Sequence, residues 1–131
     1  MPFKIVPVVK DKITVNKIEI TKQIISSMSY STVKKKGFPQ LKEYQLAYHI
    51  VRESDLLAAY DFDRCLIYNI HKNKNTDFKY SYNDSVKLFE NRILNYIPDD
   101  LFTLQYSKDM AYKLQLNSID RINSWKNIIN N

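Results

Sequence analysis

Glycine is almost missing from this sequence: its 131 residues contain one, Gly37. Glycine supplies the open backbone that cradles phosphates and dinucleotides, so P-loops and Rossmann turns are excluded. A nucleophile elbow, which needs glycines on both sides of its serine, is excluded for the same reason. Turns that require positive φ must rely on Asn, which tolerates the left-handed region. Cysteine is equally scarce. Cys65 stands alone and cannot form an internal disulfide. No stretch has the apolar length needed to span a bilayer, and Phe3 to Val9 is too short, and too interrupted by Lys4 and Pro7, to read as a signal peptide. The expected setting is cytoplasmic or inside a virion, with no membrane partner and no cofactor.

What the chain does contain is apolar and basic. Hydrophobic residues make up 44% of it, with ten tyrosines, and its formal charge is +6. That apolar content is enough to offset chain entropy, so a folded protein is expected, and the length suits a single compact domain over residues 1–131. Positive charge favours anionic partners, nucleic acid included, although acidic residues are interspersed through much of the chain. Lys, Asn, Ile and Tyr together point to A/T-rich codons, as in an AT-rich bacterial, phage or other viral genome.

Patterning predicts an α+β fold, with a small antiparallel sheet of about four strands packed against four to five helices. Phe3 to Val9 reads as an edge strand. The phase change between Ile13/Val15 and Ile18/Ile20 reads as a hairpin or bulge. Thr21 caps a short helix to Met28, Ser26 to Gly37 reads as a loop, and Pro39 opens a helix to about Tyr60. Arg64 to His71 and Thr76 to Tyr82 read as a strand pair, with residues 71–75 at its tip. Val86, Phe89, Ile93, Tyr96 and Ile97 form the clearest helical stripe, capped near Asn83 to Ser85 and stopped by Pro98. Ser107 caps a further short helix, and Asn117 or Ser118 opens the last.

Four constellations bear on function. His49 and Glu53, at i and i+4, could share a metal with the Asp61/Asp63 pair; a solvated helix face and a capped junction explain them better. Cys65 and His71 sit on one face of the expected strand, but roughly 20 Å apart, which excludes a thiol dyad. Phe78, Tyr80 and Tyr82 beside Lys72, Lys74 and Lys79 match the aromatic-plus-basic recipe for stacking on bases, and Lys34, Lys35 and Lys36 could grip phosphates; the competing reading is a buried aromatic face and solvated loops. Finally, the helix from Pro39 carries a second apolar stripe, Leu46, Ile50 and Leu57, about 140° from Leu41, Tyr44, Tyr48 and Val51. That stripe suits a protein partner or self-association. The leading expectation is therefore a non-enzymatic interaction protein, an assembly component or an inhibitor. A sequence-independent nucleic-acid-binding module is the alternative, and a small metal-dependent hydrolase or nuclease the second.

Overall fold

The computed structural model describes residues 15–74 and 76–130. It contains α1 (Val15–Ser27), α2 (Tyr30–Lys36), α3 (Gln45–Ala58), α4 (Phe62–Lys72), α5 (Phe78–Asn91) and α6 (Gln105–Asn130), with short 3₁₀ turns at Lys42–Tyr44 and Ile93–Asn95. Among the described residues there is no strand. The expected α+β sheet is therefore overturned: the described fold is all-α. The strand expected at Phe3 to Val9 lies outside the described residues. Val15, Ile18 and Ile20 are helical, as are Arg64 to His71 and Phe78 to Tyr82.

The chain divides into two compact units, one up to Arg52 and one from Glu53 onward. In the first, Ile20 and Ile24 of α1 lie four residues apart and so share a helix side. Ile24 packs with Leu41 and Tyr48, supported by Ile20, Met28, Phe38 and Tyr44. Thr21 does not cap α1. Its hydroxyl donates back to the Lys17 carbonyl at 3.0 Å inside the helix, as Ser and Thr side chains do mid-helix. The Tyr48 hydroxyl donates to the Ser27 carbonyl at 2.9 Å, which satisfies an acceptor that the end of α1 leaves open.

Ser29 caps α2 by accepting from the Thr32 amide, so the expected loop over residues 26–37 contains a helix. It ends at Gly37, whose amide donates to the Val33 carbonyl. Gly37 has φ 73° and ψ −165°, a region that only glycine occupies without strain. The sole glycine of the chain thus stands where the backbone demands it.

In the second unit, Asp61 caps α4 by accepting from the Arg64 amide, and Asp77 caps α5 by accepting from the Tyr80 amide. Helices α4 and α5 run antiparallel. Near one end Phe62 meets Phe89 edge-on at 5.2 Å between ring centres, and further along Asn69 donates to the Ser85 hydroxyl at 2.8 Å. The Ser81 hydroxyl donates to the Asn69 carbonyl, and small Ser81 and Ser85 permit this close approach. Around them lie Leu66, Tyr82 and Ile93, all buried.

The two short C-terminal helices expected from Ser107 and Ser118 are one continuous α6. Both serines are buried inside it. The Ser118 hydroxyl donates to the Tyr60 carbonyl at 2.5 Å and to the Leu114 carbonyl one turn back. The two amides that lead into α6 are met from a distance. The buried Glu53 carboxylate accepts from the Thr103 amide and hydroxyl, at 2.9 and 2.6 Å, and from the Leu104 amide at 3.2 Å.

Candidate functional site

The outward side of α3 follows from its residue order. At 100° per residue, Tyr48, Arg52 and Leu56 fall on one side, and all three are buried. Leu46, Ala47, Ile50 and Val51 fall on the other and are exposed, at 59% for Leu46, 48% for Ile50 and 43% for Val51. The expectation that Val51 belongs to the inner stripe with Tyr48 is corrected: it lies on the outer side, next to Leu46 and Ile50. Leu57 departs from its expected partners. It is half-buried and lines a cleft of about 590 Å³ with Asp61, Arg64, Asn117 and Arg121.

Leu46 with Ile50, and Ala47 with Val51, form two parallel i, i+4 rows. Rows of this kind are the ridges that interlock when helices pack. None of the four residues carries charge, although a solvated helix side ordinarily does.

The metal-binding alternative meets four residues that are each engaged elsewhere. His49 meets Gln45 Nε2 at 3.3 Å through one ring nitrogen and Arg52 Nη2 at 2.9 Å through the other, and its ring lies edge-on to Phe38 and Tyr48. Glu53 holds the start of α6. Burial alone would raise its carboxyl, but hydrogen bonds from Thr103, Ser107 and Leu104 outweigh this and hold it below the usual glutamate range. Asp61 caps α4. Asp63 accepts from Arg121 Nε at 3.1 Å and Trp125 Nε1 at 2.9 Å, with Arg121 Nη2 at 3.1 Å from its second oxygen, a two-pronged pairing that suits guanidinium and carboxylate. Desolvation pushes the Asp63 carboxyl up, and these contacts more than reverse it. Among the described residues, no three His, Cys, Asp or Glu side chains come together as a metal set.

Cys65 and His71 lie on α4, not on a strand. Six residues of helix separate them by about 9 Å along the axis and turn them to well-separated sides, so the dyad is excluded on new grounds. Burial pushes the Cys65 thiol up, and Asn69 Nδ2 approaches its sulfur at 3.8 Å.

Neither the favoured buried strand face nor the alternative base-stacking face is formed, because Phe78, Tyr80 and Tyr82 lie on a helix, where a two-residue spacing scatters side chains around the axis. Phe78 packs against Trp125 at 5.7 Å, and Tyr82 is buried, its hydroxyl donating to the Ile122 carbonyl. Lys72 closes the last turn of α4, Lys74 follows it, and Lys79 stands in the first turn of α5. All three are exposed. Lys34, Lys35 and Lys36 form the last turn of α2, likewise exposed, with Lys34 Nζ 5.9 Å from the Tyr30 ring centre.

Sequence reasoning overlooks the Asp63–Arg121 pair, since its members are 58 residues apart. It also overlooks Ala47, whose only signal is that it continues the uncharged side of α3. No protein-family model, no curated protein and no solved structure matches this chain.

Proposed function

We propose that this protein acts by contact, as a non-enzymatic interaction protein that offers the outward side of α3 to a helix of a protein partner. The observation that carries this reading is the exposed, uncharged double row of Leu46/Ile50 and Ala47/Val51. Two aliphatic rows with a small residue between larger ones accept the ridge of another helix, and burying Leu and Ile there contributes about 1.5–3 kcal/mol per side chain. Lone exposed aliphatic residues are ordinary on protein surfaces, but these four are neighbours, and the exposed Ser54 and Asp55 that follow in the same rows bound them as a polar rim bounds an interface.

The test is a double substitution, Leu46→Lys with Ile50→Lys, paired with a photo-crosslinking side chain at position 50 in the source cells. Both positions face outward, so the variant should keep its helicity and unfold within about 0.5 kcal/mol of the parent. The crosslinked complex seen with the parent chain should disappear when Leu46 alone is changed to Lys beside the crosslinker. An unfolded double variant, or a complex that survives the charge, refutes the reading.

A further inference from the structure

The positive charge of this protein is not spread evenly between its two units. Up to Arg52 there are ten Lys and Arg against three acids, whereas from Glu53 onward there are ten against eleven. Within the first unit the imbalance narrows further. No acid stands between Glu19 and Glu43, and that interval carries Lys22, Lys34, Lys35, Lys36 and Lys42. All five are exposed.

From this we infer that α2 and its flanks form a surface that binds the phosphate backbone of nucleic acid without reading its sequence, a property separate from the protein contact proposed for α3. One basic residue in the last turn of a helix is explained by the helix dipole, whose influence falls off within a turn. Three in succession are not. At 100° per residue, Lys34, Lys35 and Lys36 fan across most of the helix circumference, so they present a curved basic end rather than a point. Ser31 shares the exposed surface of α2 and adds a hydroxyl of the kind that contacts phosphate oxygens.

A membrane surface is a poorer match for this helix. Interfacial helices bury an exposed apolar face in the lipid, yet the apolar residues of α2 turn inward: Val33 is buried and Tyr30 half-buried. Lys72, Lys74 and Lys79 belong to the other unit, where acids balance the basic residues and Asp77 stands between them in sequence.

The experiment is titration of the full chain with a fluorescent DNA duplex of mixed sequence across a salt series. Five contacts give a log-log slope near about −4.5, and Lys34→Gln with Lys35→Gln and Lys36→Gln should bring it to about −1.8, with a loss on the order of several hundred-fold at 0.1 M salt. The matched set Lys72→Gln, Lys74→Gln and Lys79→Gln should leave both unchanged, as should the double substitution Leu46→Gln with Ile50→Gln, which separates this inference from the α3 contact. Circular dichroism confirms that each variant is folded. A parent slope shallower than about −2 overturns the inference. So does an equal loss from the Lys72, Lys74 and Lys79 set, or binding to vesicles of anionic lipid that the duplex cannot displace.

Discussion

The two units hold themselves together by different means. The first gathers a small core on Ile24, Leu41 and Tyr48, carries most of the excess positive charge, and leaves an aliphatic helix side in solvent. The second packs more aromatic side chains against one another, Phe62 against Phe89 and Tyr82, and Tyr60 against Tyr96 and Phe102, where the first sets Phe38 against Tyr48. It also satisfies its buried polar groups over long sequence separations, as Glu53 with Thr103 and Ser118 with Tyr60. On the reading proposed above, the second unit would serve as scaffold and the first as contact surface.

The sharpest way to break that comparison is to empty each core. Phe89 is fully buried, and Phe89→Ala should cost about 3–5 kcal/mol in denaturant unfolding. Ile24→Ala in the smaller core should fall near about 2 kcal/mol, the low end for such truncations. Equal losses would remove the distinction between scaffold and surface.

Next in size is Glu53. Its replacement by Ala leaves two backbone amides without their charged acceptor and should cost about 2–4 kcal/mol. The folded carboxyl titrates below its ordinary value, so the unfolded chain binds the proton first as pH falls. The stabilisation is complete above the ordinary value of about 4.3 and is lost as the pH drops through the folded value. Glu53→Gln should flatten that acid limb of the stability profile. A limb of unchanged slope would show that other carboxylates govern it.

Gly37→Ala comes third. Among the described residues the added methyl would meet no atom within 4 Å, but the backbone has φ 73°, so the cost is conformational and should be about 1–3 kcal/mol. The smallest effect compares two tyrosines. Tyr48→Phe removes the hydrogen bond to the Ser27 carbonyl and should cost about 1 kcal/mol. Tyr60 buries a hydroxyl with no hydrogen-bond partner among the described residues, so Tyr60→Phe should leave thermal stability unchanged or raise it. A loss at Tyr60 matching that at Tyr48 would reveal a partner for its hydroxyl.

Sequence makes the buried Tyr48 of α3 and Phe89 of α5 legible from their helical stripes, but not the bounds of α5: the helix expected from Asn83–Ser85 to Pro98 starts at Phe78 and ends at Asn91, before Ile93 and Tyr96. It misled where two periods coincide. Phe78, Tyr80 and Tyr82 alternate like a strand and are rich in strand-favouring aromatics, yet Asp77 caps them into a helix and packing overrides their intrinsic preference. The same holds for residues 64–71. The buried set Phe62, Leu66 and Asn69 follows an i, i+4, i+7 rhythm that polar Asn69 hides until Ser85 is seen beside it. Ser107 and Ser118 mislead in the opposite sense, since serine usually marks a helix start, but here both lie inside one, where Ser118 donates to the Leu114 carbonyl and Ser107 to the Glu53 carboxylate. Of the candidate site, Leu46 and Ile50 were legible. Ala47 and Val51 were not, because nothing local separates an exposed small or branched residue from a buried one.

The junction of Glu53 with Thr103 and Leu104 also bears on the order of events during synthesis. The acceptor is made fifty residues before the donors, so it is already present when the start of α6 leaves the ribosome. A helix of 26 residues is thus tied down at the two residues that precede its first turn. Closing a loop of that length is entropically demanding but grows only slowly with its size. Once closed, it fixes the direction in which the remaining turns propagate, and nucleation, the slow step of helix growth, is supplied from outside the helix.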